Sequence, residues 1–217
     1  MIEIGAGGGR IARADALGLL KVGPDSAGSS PGPACYGLGG TAPTVTDANL
    51  LLGCLDEASF LGGAMVLDRA AAQAAVARLA AALKVDAHQA AVGILQVVNA
   101  NMIAAAKMHV AERGKDPRGF TMLAFGGMGP MHAHAVARGL RVAEIVCPAS
   151  AGVLSAWGML AAPISFEFAR SLVGRLSPAL LDEARALLAA LAAQGMELVQ
   201  AAGSGDGAIE TSFSIEM

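Results

Sequence analysis

Charge is scarce in this chain. Asp, Glu, Lys and Arg together make up 15% of its 217 residues, the net charge is −3, and no cluster of Lys or Arg occurs. Binding nucleic acid through its phosphates needs a basic stripe, so that class is excluded. Cysteine is scarce as well. Cys35, Cys54 and Cys147 are scattered and odd in number, which excludes a disulfide framework, fits no zinc-ligand spacing and points to reduced thiols in a cytoplasmic setting. The opening Met1-Ile2-Glu3-Ile4-Gly5 has no basic stretch followed by an apolar leader, which agrees with that setting. Uninterrupted apolar runs of about 18 residues are missing too, so no membrane partner is expected. The high hydropathy comes mostly from Ala in helical stretches broken by Arg, Gln, Asp, Glu or His.

What is present is a 54% share of hydrophobic residues and 28 glycines. That is enough apolar material for a sizeable core, and it argues against global disorder. The central stretch is Thr121 to His134, where an apolar run ends in Gly126-Gly127-Met128-Gly129-Pro130 and a helical pattern, Met131 to Leu140, follows at once. Strand, glycine corner and helix bring backbone N–H groups and a helix N-terminus to one point, which attracts anions. The plainer reading is a tight turn whose glycines only satisfy packing.

In chain order, Arg10–Ala14 and Leu19–Val22 are expected to form a hairpin across Asp15–Gly18. Residues 23–46, rich in Gly, Pro, Ser and Thr, make a long loop of the kind that is more often functional than disordered. Thr46 or Asp47 is expected to cap a short helix that Gly53 closes. Two long helices follow, Asp68–Leu83 and Asp86–Arg113. Asn101 and Lys107 on the second either face solvent or reach a ligand. A strand over Phe120–Phe125, the helix to Gly139 and a strand over Val142–Cys147 read as a βαβ unit with parallel strands. A helix from about Ser150 to Leu160, an extended Ile164–Leu176, an Ala/Leu-rich helix Pro178–Ala201 capped by Ser177, a turn at Ser204–Gly207 and a final strand complete an α/β pattern.

Six phrases in order then carry a resemblance: Ile4 to Gly9, Val22 to Gly28, Pro31 to Gly37, Pro43 to Asn49, Ala124 to Pro130, and Gly152 to Gly158. Together they resemble the hydantoinase A / 5-oxoprolinase family, which includes acetone carboxylase β-type subunits. The resemblance implies an α/β fold, part of an actin, sugar-kinase and Hsp70-like nucleotide domain with a mixed sheet, flanking helices and a helical insertion. Its expected parts are residues 1–67, a helical subdomain 68–114, and a second α/β part 115–217. It implies an ATP-dependent cyclic-amide hydrolase using ATP and Mg²⁺, cyclic-amide substrates, a hydantoinase B-type partner and a homo-oligomer. A ketone carboxylase subunit and a non-catalytic scaffold are the alternatives.

Carried over by residue, Gly126, Gly127 and Gly129 match the family's adenosine-side turn, and Gly7, Gly8 and Gly9 match its glycine loop in the same cleft. Asp47 is the acidic candidate for catalysis and metal. For His132, in the Gly-Pro-x-His phrase, a catalytic role and a local packing role both stand open. Arg10 departs from the small or polar residue usual after the glycines. The Asp-x-Gly-Gly-Thr hairpins that hold phosphate in the family are not in this chain, so it is expected to be a later portion of a longer polypeptide and inactive alone.

Overall fold

A computed structural model describes residues 4–203 and 209–214. Its contacts divide the chain into two compact units, Met1–Ser155 and Ala156–Met217.

The first unit is built on a hairpin and four helices. Strand β1 (Arg10–Ala14) pairs antiparallel with β2 (Leu20–Ser26), and the register shifts between Arg10 and Ala12. Asp15 makes the turn, its carboxylate accepting from the backbone N–H of Leu17 and Leu19, each at 2.9 Å. Helix α1 (Val45–Leu51) follows the glycine-rich loop, then α2 (Arg69–Leu83) and α3 (Ala87–Glu112). The caps explain these starts. Asp68 accepts from Ala71 N–H, and Asp86 forms a reciprocal capping box with Gln89. At α1 the cap is Thr44, two or three residues earlier than expected, with Asp47 closing the capping box.

Apolar faces then bring the elements together. Val45 and Ala48 of α1, Val76 and Leu79 of α2, and Ala91, Ile94 and Val98 of α3 meet Ala12 and Val22 of the hairpin in one core. A smaller cluster joins Cys35, Leu50, Leu67 and Ala72. The helices of 68–114 thus pack on α1 and the hairpin within the same unit. Helix α3 has 26 residues and an 18-residue window of mean hydropathy 1.3, so by length and composition it could cross a membrane. Its Ala90, Ala91, Ile94 and Val98 are buried against the core of the first unit. Asn101 and Lys107 on it are exposed.

The βαβ unit forms as expected. Strand β3 (Thr121–Leu123) runs parallel to β4 (Glu144–Val146) with α4 (Gly129–Leu140) between them. Among the described residues the strands make two separate two-stranded sheets, not one mixed sheet. Gly139 lies inside α4 and does not end it; a Cβ there would run into Ile103, so glycine lets α3 and α4 approach closely. Arg141, in the left-handed region, caps the helix. Helix α5 (Leu154–Ala161) runs across the division between the units.

In the second unit, α6 (Pro178–Ala201) starts at Ser177, whose hydroxyl accepts from Leu180 N–H. Ile164–Leu176 forms no strand, and neither does the described part of the C-terminal segment. The turn expected at Ser204–Gly207 lies outside the described residues.

The core makes a plain forecast. Ile94 is fully buried where three helices and the hairpin meet. Ile94→Ala is expected to lower unfolding free energy by about 2–5 kcal/mol, read from urea titration.

Candidate functional site

The site begins at the start of α1. Asp47 is fully buried and carries four incoming hydrogen bonds. Its Oδ1 accepts from Cys35 N–H at 2.8 Å. Its Oδ2 accepts from Thr44 N–H at 2.8 Å, Thr44 Oγ1–H at 2.7 Å and Ala34 N–H at 3.3 Å. The carboxylate therefore ties the loop at Ala34–Cys35 to the first turn of α1. On the same turn, Thr46 N–H donates to Gly8 O at 2.9 Å, which holds the N-terminal glycine loop against α1. Gly8 has to be small there: a Cβ would lie 2.6 Å from Thr46 Oγ1 and 3.2 Å from Met128 Cγ.

That Met128 contact brings in the second glycine bend from 120 residues further along the chain. Gly126 has φ +92, a conformation that favours glycine, and its N–H donates to Ala151 O at 2.8 Å. The bond fixes residues 151–153 beside the bend. The result is a cavity of about 590 Å³ lined by Gly8, Gly9, Gly127, Met128, Gly152 and Val153 together with Tyr36, Thr46 and the 54–61 segment. The rings of Tyr36 and Phe60 are tilted against each other with centroids 5.5 Å apart.

The glycine loop and the Gly-Gly bend thus share one cavity. Of the expected residues, Gly8, Gly9 and Gly127 line it. Gly7 instead accepts from Arg10 N–H, and Gly126 shapes the bend. Gly129 and His132 lie on a smaller cavity of about 170 Å³ behind the bend. Arg10 does not line the larger cavity; its guanidinium donates to Pro24 O and covers Gly5. Sequence reasoning missed Phe60, Cys54 and Asp56. Tyr36, the only tyrosine in the sequence, stood in a quoted phrase and was the available signal.

Asp47, expected to contact metal or substrate, organises the loop and the start of α1 in this structure. It does not line the cavity, and its oxygens are already filled. Among the described residues no group of three or more His, Cys, Asp or Glu side chains could hold a metal ion. The described residues therefore form no all-protein cage for Mg²⁺, an ion that one or two carboxylates and substrate phosphates ordinarily hold. Asp56, the one carboxylate on the cavity wall, accepts from Ser59 Oγ–H and Ala58 N–H, which hold its pKa below the usual carboxylate range. Cys35 is buried, and burial followed by the neighbouring Asp47 charge pushes its thiol pKa far up, so it is inert. Cys54 and Cys147 are exposed. His132 is 3% exposed, its Nδ1 lies 2.8 Å from Asn99 Oδ1, and burial lowers its pKa from the ordinary 6.5.

Among the residues lining the larger cavity no Lys, Arg or His occurs. Its wall is glycine backbone, two aromatic rings and a few polar side chains.

The comparisons with known proteins agree with this architecture. The Hydantoinase/oxoprolinase family model matches residues 1–168. The chain belongs to the hydantoinase/oxoprolinase family. It is 39% identical over 218 aligned residues to caprolactamase subunit alpha of Pseudomonas jessenii, covering 99% of this chain and 31% of that protein. The crystal structure of ATP-dependent caprolactamase from the same organism matches with a TM-score of 0.68 and 43% identity, over 75% of this chain and 24% of that one. A nucleotide-free structure of acetone carboxylase, from work on ATP-dependent acetone carboxylation, matches with a TM-score of 0.73 and 29% identity, over 90% of this chain and 28% of that one. The chain spans less than a third of the length of each.

Two outcomes follow from the buried groups. Asp47→Ala leaves four donors unpaired, an expected loss of about 3 kcal/mol or more. Cys35 then becomes reactive to a thiol reagent under native conditions, where the parent protein shows only Cys54 and Cys147. For His132, the unfolded chain takes up a proton near 6.5 and the folded chain only at lower pH. The unfolded state binds more protons in that window, so stability falls as pH drops below 6.5 towards the folded pKa. Urea midpoints at several pH values should show a shallower fall in His132→Gln than in the parent.

Proposed function

We propose that this chain forms the nucleoside half of the ATP site in an enzyme that couples ATP hydrolysis to the opening of a cyclic amide. The observation that carries this reading is the convergence of Gly8–Gly9 and Gly127–Met128 on one cavity beside Tyr36 and Phe60. Backbone without Cβ atoms lets a flat base and a ribose come close, and the aromatic rings offer a face for the base. Phosphorylating the amide oxygen would turn a poor electrophile into a reactive one. The groups that hold phosphates and metal belong to parts of the enzyme beyond the residues described. A hydantoinase B-type subunit would supply further machinery; the Pseudomonas jessenii relative is itself named as a subunit.

The acetone carboxylase likeness supports a second reading, a subunit of an ATP-dependent ketone carboxylase. In the assembled enzyme, ketone plus bicarbonate would then stimulate phosphate release and a lactam would not.

The test uses Cys54, which is exposed on the cavity wall, with exposed Cys147 as internal control. ATP and adenosine are both expected to slow alkylation of Cys54 and to leave Cys147 unchanged, while inorganic triphosphate protects neither. A Cβ at Gly127 meets no protein atom within 4 Å, so Gly127→Val should fold and occupy ligand space. Nucleotide protection should weaken roughly ten-fold or more in it. Equal protection in Gly127→Val, or none in the parent, would refute the reading. The chain alone should release no phosphate from ATP with caprolactam present.

A further inference from the structure

The larger cavity carries one carboxylate whose bonding capacity is half used. A carboxylate offers about four lone-pair sites. Asp47 has four incoming bonds and nothing left for a ligand. Asp56, on the cavity wall, accepts from Ala58 N–H at 3.0 Å on Oδ1 and from Ser59 Oγ–H at 2.6 Å on Oδ2. Among the described residues it accepts nothing else, so each oxygen keeps a free lone pair. Asp56 is exposed, and among the described residues no Lys, Arg or His forms an ion pair with it. The two bonds within its own turn fix the carboxylate in place and favour its ionised form.

Such a group presents two acceptors side by side and no donor. The vicinal hydroxyls of a ribose are two adjacent donors and match it. The amino edge of adenine does not, because its N–H₂ group is flanked by ring nitrogens that only accept. One of those would face the second carboxylate oxygen. Phe60 stands on the same 54–61 segment and pairs its ring with Tyr36. A base and a sugar therefore have separate places along one wall.

We propose that Asp56 selects the sugar: its carboxylate accepts hydrogen bonds from the 2′- and 3′-hydroxyls and makes the larger cavity a ribonucleoside site. This rests on the nucleoside reading of the cavity and says which part of that ligand the wall discriminates.

The experiment is a backbone amide NMR titration of the full chain with adenosine, 2′-deoxyadenosine and 3′-deoxyadenosine, the Gly127 amide reporting occupancy of the cavity. Each deoxy compound should bind roughly ten-fold more weakly than adenosine. Asp56→Asn keeps the shape of the side chain, removes its charge and puts donors where acceptors stood. The preference for the intact diol should disappear in it. Ser59→Ala removes one of the two turn bonds and keeps the carboxylate, so there the preference should remain. A diol preference present in the parent and in Ser59→Ala and lost in Asp56→Asn supports the proposal. Equal binding of adenosine and both deoxy compounds overturns the sugar assignment and leaves the nucleoside reading standing. So does a preference that survives in Asp56→Asn, or one lost in both variants alike, which would mark an effect of the turn. Guanosine and 2′-deoxyguanosine binding alike, and both more tightly than adenosine, would put the adjacent N–H groups of that base on the carboxylate and overturn it too. If adenosine moves no amide on the cavity wall, the nucleoside reading and the sugar assignment fail together.

Discussion

The structure depends on one buried carboxylate. Asp47 gathers the N–H of Ala34 and Cys35 and both donors of Thr44 onto two oxygens. A buried charge is stable only when its lone pairs are filled, and removing such partners costs far more than a surface hydrogen bond is worth. This one group sets the start of α1 and the path of the loop leading to Tyr36. The same helical turn carries Thr46, whose N–H holds Gly8. Two of the cavity's walls, the glycine loop and the aromatic side, are therefore positioned from a single point outside the cavity.

The third wall reaches the cavity by a different route. The Gly126 N–H bond to Ala151 fastens the end of β3 to the start of the 151–153 turn, and α4 carries the bend back onto α3. Gly139 against Ile103 sets how closely those helices approach. Removal of Cβ atoms thus serves two purposes in this chain. At Gly139 it permits packing, and at Gly8 and Gly127 it shapes the larger cavity.

Much of this was legible in the sequence. The hairpin, the two long helices with their Asp68 and Asp86 caps, the parallel pair β3 and β4 and the Ser177 cap all follow from local pattern. So did the meeting of the two glycine segments, which rested on the family's phrase order. The bonding of Asp47 was not legible, because a conspicuous acid in a polar phrase looks the same whether its oxygens face a ligand or four backbone and side-chain donors. Only the fold shows that Ala34 and Cys35, more than ten residues upstream, come back to it. Phe60 and Cys54 were invisible for a related reason: no local rule places a short irregular segment on a cavity wall. For His132 the phrase left a catalytic role and a local packing role both open. Its pairing with Asn99, 33 residues away, is a tertiary fact.

The central claim is that two glycine segments distant in sequence make one nucleoside pocket. The most direct measurement is a backbone amide NMR titration of the chain with adenosine. The account predicts that Gly8, Gly9, Gly127 and Met128 shift together with one saturation curve, joined by Tyr36 and Phe60. Shifts confined to one of the two glycine segments, or different saturation points for the two, would contradict it.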